Sequence, residues 1–175
     1  MIPSELEKLA VELEEFRRNR YFGKYRGLVQ EVGEGEKLGQ LTATVPEVYG
    51  EMTSPWALPS VPFAGKEHGF VLLPEVNDGV WIEFEAGDPS RPIWTGCWWG
   101  EGEMPVSAGS QARVLVTPGG HQLVLDDGEQ KLRLCHSGGA NLTMTKDVIT
   151  LKIGQTQIVL SSSGVNINNG AFEVR

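Results

Sequence analysis

No run of the 175-residue chain is apolar for long enough to cross a bilayer as a helix. Basic residues are scarce, with 15 Lys and Arg against 23 Asp and Glu and a formal net charge of -8. That sign excludes an affinity built on neutralising phosphates, so no nucleic-acid partner is expected, and it disfavours anionic membranes. Cysteine is nearly absent. Cys97 and Cys135 stand in no C-x-x-C or other metal-type spacing, so they read as buried reduced thiols rather than as a disulfide framework or zinc site. The N-terminus carries acids and a helical pattern where a secretory signal would carry bases and an apolar stretch, and assembly in the cytoplasm is expected. What is plentiful is 22 Gly and 10 Pro, which with only one convincing helical stretch describe a turn-rich, mostly β protein.

The distribution of residues divides the chain further. Every Pro lies at or before Pro118 and every Trp at or before Trp99, while residues 121–175 hold neither and have a single aromatic, Phe172. Acid is local as well: residues 21–120 carry 13 acids against 6 bases, and residues 121–175 carry five of each. The expected organisation is a leader over 1–20, a domain over 21–105, a linker over 106–120 and a tail over 121–175.

The leader reads as a helix. Ser4 and Glu7 form a capping-box pattern, Glu5 and Glu7 sit at the positive end, and Arg17, Arg18 and Arg20 at the other. Leu6, Leu9, Leu13 and Phe16 repeat at 3, 4, 3, a narrow apolar stripe that packs either on its own domain or on another copy or partner. Residues 21–105 read as strands at 25–32, 38–45, 70–73, 80–85 and 92–98, separated by Gly-rich turns, and five such strands suggest a small closed barrel. The connection over 47–69, with Pro55, Trp56, Pro59 and Pro62, is long enough to be functional or ordered by a partner.

Beyond Gly119-Gly120, apolar residues alternate with Thr, Lys, Ser or Asn in segments that recur every seven to ten residues: Leu123 to Leu125, Leu132 and Leu134, Leu142 and Met144, Ile149, Leu151 and Ile153, Ile158 and Leu160, Val165 and Ile167, Phe172 and Val174. Such a ladder exposes one apolar face, and the tail offers no helix or second sheet to cover it. Identical copies around a rotation axis cover it most simply, as a three-sided prism with Leu132, Leu134, Leu142, Met144, Ile149, Leu151, Ile153, Ile158, Leu160, Val165 and Ile167 at the core.

The stretches Tyr21-Phe22-Gly23-Lys24-Tyr25-Arg26-Gly27-Leu28-Val29, Gly79-Val80-Trp81-Ile82-Glu83-Phe84-Glu85 and Gly87-Asp88-Pro89-Ser90-Arg91-Pro92-Ile93-Trp94-Thr95-Gly96 resemble the barrel domain of phage baseplate assembly protein V and of the valine-glycine-repeat spikes of type VI secretion. Gly119-Gly120-His121-Gln122-Leu123-Val124-Leu125-Asp126-Asp127 is similar to that family's passage into its trimeric spike. The resemblance implies an all-β fold: an N-terminal helix, a five-stranded OB-type barrel and a C-terminal intertwined trimeric β-helix, or β-prism. It implies a homotrimeric, non-enzymatic central spike of a contractile, phage-tail-like injection system, among baseplate proteins, below a tail hub protein and above a PAAR-type tip protein, touching the target membrane only as it punctures it. Leu6, Leu9, Leu13, Phe16 and Trp56 are the expected hub or neighbour contacts, and Ala171, Phe172, Glu173, Val174 and Arg175 the expected tip-docking segment. No lysozyme-like segment separates barrel from tail, and no His-x-His pair closes the C-terminus.

Other residues allow other chemistry, each with a structural alternative. His121 with Asp126 or Asp127 and a Ser from 161–163 lacks a G-x-S-x-G elbow. Glu83 and Glu85 suit acid and base roles only in a cleft. His68, His121 or His136 tripled at an axis offers metal ligands, but surface or packed histidines are the ordinary case, and no cofactor is expected. The Trp residues 81, 94, 98 and 99 allow an alternative, an OB-fold module binding single-stranded nucleic acid or polysaccharide with an oligomerising tail. Such grooves are basic and this region is acidic, so core or subunit packing is the favoured use.

Overall fold

The computed structural model describes residues 5–106 and 109–174, and the chain divides into two units, up to Gly102 and from Glu103. The first opens with helix α1 (Glu5–Arg18), with Glu5 and Glu7 in its first turn, Arg17 and Arg18 in its last, and no buried residue. Its expected cap Ser4 lies outside the described residues. No helix is long and apolar enough to cross a membrane among the described residues.

There follow β1 (Tyr25–Val32), β2 (Leu41–Thr44), α2 (Pro46–Tyr49), β3 (Leu58–Pro59), β4 (Ala64–Gly65), β5 (His68–Gly69), β6 (Gly79–Phe84) and β7 (Pro92–Trp98). Five of these form one sheet in the order β2-β1-β6-β7-β3, antiparallel except for the parallel β3/β7 pair. The sheet closes on itself at Leu41 and Ala57, where the Ala57 N–H donates to the Leu41 carbonyl at 2.7 Å and the Leu41 N–H returns to Ala57 at 3.2 Å. Closure at this bridge pairs the two outer strands of the sheet with one another. Alternation in β6 points Val80, Ile82 and Phe84 inward, where they pack with Val29, Leu41, Ala43, Val45 and Trp94. This is the expected five-stranded OB-type barrel.

Its strands differ from expectation in three places. Residues 70–73 are not a strand, since Phe70, Val71 and Leu72 are all exposed. A continuous apolar run gives no inward and outward alternation, and the fifth strand is instead β3, at whose edge the missing N–H of Pro59 is tolerated. The expected 38–45 strand shortens to β2 because a 3-10 turn (Gly35–Lys37) and Gly39 at φ +92 precede it. The 47–69 connection is largely built into the barrel: it holds α2, the closing strand β3 and the β4/β5 hairpin, while Thr53 bridges Thr44.

The second unit is β8 (Ala112–Val116), β9 (Gln122–Asp126), β10 (Lys131–Cys135), β11 (Asn141–Met144), β12 (Val148–Ile153), β13 (Thr156–Ser161), β14 (Gly164–Ile167) and β15 (Phe172–Val174). They form one antiparallel meander in strict sequence order. The sheet begins nine residues before His121, so the expected linker over 106–120 contains β8. Pro118 marks the hairpin between β8 and β9, in which the Gly120 N–H donates to the Thr117 carbonyl at 2.8 Å and the Thr117 N–H to His121 at 3.0 Å.

Candidate functional site

The register of the C-terminal sheet assembles a surface that no single segment contains. Residues directly opposite one another in a ladder share a face. Following the pairs across all eight strands gives one row of Leu115, Leu123, Leu134, Leu142, Leu151, Ile158, Ile167 and Phe172. A second row beside it runs Leu125, Leu132, Met144, Ile149, Leu160, Val165 and Val174, with Arg113 at its β8 end. Ile153, two residues beyond Leu151, adds to the same face opposite Thr156. All eleven residues expected at a trimer core therefore lie on one face.

That face is open. Leu134 is 57% exposed, Phe172 59% and Ile153 72%, and Leu123, Leu125, Leu132, Met144, Leu151, Leu160 and Val174 are also exposed. A concavity of about 410 Å³ lies on it, lined by Leu134, Leu142, Leu151, Ile153 and Ile158 with His136 at its rim. The reverse face carries the intervening residues, such as Thr143, Thr150, Val159 and Asn166, with Arg133 and Lys152. The chemistry of this surface is that of apolar burial, since its rows present no donor, acceptor or nucleophile except at the Arg113 end, where the guanidinium pairs with Asp127 at 2.7 Å.

The expected tip-docking segment lies at the outer strand of this sheet. Phe172 and Val174 continue the two apolar rows, Glu173 points to the reverse face opposite Asn166, and Ala171 precedes the strand. Arg175 lies outside the described residues. In the first unit Leu6, Leu9, Leu13 and Phe16 are all exposed on α1, so the stripe does not pack on its own barrel. Trp56 is half-buried, with the Lys37 ammonium 4.2 Å from its ring centre.

Other candidate groups are dispersed or satisfied. His121 and Ser161 lie four strands apart, at least roughly 19 Å at about 4.8 Å per strand, and Ser161 bonds Ser163 at 2.8 Å. Glu83 pairs with Lys24 at 2.9 Å and Glu85 with Arg91. The His121 and His136 rings lie 4.4 Å apart, their Nδ1 atoms accepting the Ser137 and Gly138 N–H groups. Among the described residues no group of three or more His, Cys, Asp or Glu is placed to hold a metal ion. Trp94 is 4% exposed and its Nε1 donates to the Gly39 carbonyl at 2.9 Å. Trp81 and Trp98 both flank the Arg26 guanidinium, 5.7 and 5.4 Å from their ring centres, whereas Trp99 is exposed. Cys97 is exposed and Cys135 half-buried, both free, so the expectation of two buried thiols is corrected. Cys97 lies in the bulged end of β7, in register with Val80.

β8 adds to this face from within the expected linker, where no strand is expected. Its signal was the Val114-Leu115-Val116 run ahead of Pro118, which supplies Leu115 to the first row.

Known proteins agree with this division. Residues 25–99 match the type VI secretion system/phage-baseplate injector OB domain, and residues 112–173 match the phage baseplate V C-terminal trimerisation domain. A stretch of 46 residues is 41% identical to the actin cross-linking toxin VgrG1 of Vibrio cholerae serotype O1, covering 26% of this chain and 4% of the toxin. This chain thus corresponds to a small share of that relative's length. The trimerisation domain coincides with the eight-stranded sheet and supports a homotrimer, and the family is one of structural baseplate and spike proteins. With an injector OB domain followed in one chain by the baseplate V trimerisation domain, the protein belongs to the phage baseplate V family.

Proposed function

We propose that this chain is the central spike of a contractile, phage-tail-like injection system, acting as a non-enzymatic homotrimer that pierces the target envelope when the sheath contracts. The observation that carries this reading is the open apolar face of the C-terminal sheet, one apolar row across eight strands and a second across seven. Three copies that turn these faces to a common axis bury them together. Leu132, Leu134, Leu142, Met144, Ile149, Leu151, Ile153, Ile158, Leu160, Val165 and Ile167 then meet their own equivalents in a dry core. A needle built of hydrogen-bonded ladders around such a core resists axial load, because bending or crushing it breaks many bonds at once.

The spike stands below a tail hub protein among baseplate proteins. At β15, Phe172 and Val174 present an apolar edge to a PAAR-type tip protein. The trimer is assembled in the cytoplasm of the producing cell and becomes part of a virion-like, extracellular or cell-attached particle. Its contact with the target membrane is transient.

The test is the composition of contractile particles purified from producing cells. Quantitative mass spectrometry is expected to find three copies of this chain per baseplate, and gold-labelled antibody against the barrel to mark the baseplate centre. Absence from intact particles, or label spread along the sheath, overturns the reading.

A further inference from the structure

We propose that α1 packs on its own equivalents as a short parallel three-helix coiled coil, a second trimer contact separate from the C-terminal sheet. This rests on the trimeric reading above. The helix is a 14-residue element whose Leu6, Leu9, Leu13 and Phe16 are all exposed, Leu6 by 78%, and no residue of α1 is buried in its own chain. A helix of that length is marginal alone in water, and an apolar stripe met among the described residues only at Phe16, by the Arg20 guanidinium, adds little to it. Something covers it.

The charges choose the occupant. With Leu6 and Leu13 at position a and Leu9 and Phe16 at position d of a heptad, the flanking g positions are Glu5 and Glu12 and the flanking e positions are Ala10 and Arg17. In a parallel bundle each g residue faces the e residue five places on in the next helix. Glu12 then meets Arg17 of the next copy, and Glu5 meets the neutral Ala10. In an antiparallel pair Glu12 faces Glu12 of the other copy, a repulsion. The pattern therefore favours parallel association of identical helices, the sense that copies around a threefold axis running along the helices adopt.

Tethering makes the short contact sufficient. Three helices joined to one trimer meet at an effective concentration on the order of millimolar, so a seam of two heptads need not hold the copies together unaided. Phe16 closes the seam at its last turn, its ring stacked by the Arg20 guanidinium at 5.6 Å.

Disulfide trapping in the full chain, with Cys97→Ser and Cys135→Ala to remove the native thiols, tests this directly. Leu13→Cys places a thiol in the seam, and Val11→Cys places one at the outward f position. Mild oxidation of the trimer is expected to link Leu13→Cys into covalent dimers at least about tenfold faster than Val11→Cys. Glu12→Arg or Arg17→Glu alone is expected to slow that linkage, and the two together to restore it. A trimeric mass with equal rates at both positions overturns the bundle and leaves the stripe to a different chain. A double variant no faster than the singles overturns the register. A monomeric mass overturns the trimer itself, so the two failures are told apart.

Discussion

Ser54 sits where the barrel tolerates an unpaired donor least. It is 5% exposed, its Oγ accepts the Ala43 N–H at 3.0 Å, and its hydroxyl donates to the Pro55 carbonyl at 2.8 Å. Ser54→Ala strands that amide beside the closing strand and is expected to cost about 1–3 kcal/mol, read as a lower urea midpoint with an unchanged m value. Tyr49 holds the opposite kind of position. Its hydroxyl donates to the Pro89 carbonyl, its ring packs on Phe84, and burial, aided by the Asp88 charge, pushes its pKa up to about 12. An unfolded Tyr ionises near pH 10, so the stability tied to its neutral form is whole below that pH and is lost as pH rises toward about 12. Tyr49→Phe keeps the ring and removes the titration. Alkaline unfolding of the variant should lose the decline between those pH values, and an unchanged decline would assign it to another group. At the neighbouring turn the Ser90 backbone and hydroxyl hold the Asp88 carboxyl below its usual range, keeping the Gly-Asp-Pro turn charged into mild acid.

Among the elements, the eight-stranded sheet makes the sharpest demand. Its two faces have different tasks, and side chains one residue apart on β12 separate them: Leu151 lies in the open apolar row, and Thr150 on the reverse face between Thr143 and Val159. Leu151→Asp or Ile158→Asp is expected to abolish the trimer, because three like charges would meet in a water-free core. Thr150→Asp should leave the mass unchanged. Equal effects of Leu151→Asp and Thr150→Asp on sedimentation would show that the apolar face is not the interface. The strands of this sheet were legible in the sequence because a period of two survives any choice of neighbours, whereas their register was not, since it is set by the pairing of whole strands. Nor was the closing strand of the barrel. Leu58–Pro59 is two residues long, includes a Pro and owes its place to the Ala57 exchange with Leu41, a long-range pairing that no local pattern announces. The apolar run at 70–73 drew the assignment instead because hydrophobicity without alternation cannot tell a buried strand from an exposed loop. At α1 the spacing identified the stripe and its polarity, while its lack of any covering within the chain emerged only from the structure.

For the whole molecule, the barrel and the sheet differ in what they need. The barrel closes its own edges and buries its own core, whereas the C-terminal sheet completes its core only with other copies. Net acid concentrated in residues 21–120 keeps such a chain soluble while the balanced tail is free to pack against itself. One consequence is a separation of denaturation behaviour, with barrel unfolding following the intrinsic Trp signal and spike dissociation depending on protein concentration. The most direct measurement is sedimentation equilibrium of the full chain at micromolar concentration. A single species of three times the 19.1 kDa chain mass, resistant to dilution and lost in Leu151→Asp, is the expected result. A wild-type chain that sediments purely as a monomer at that concentration would contradict it.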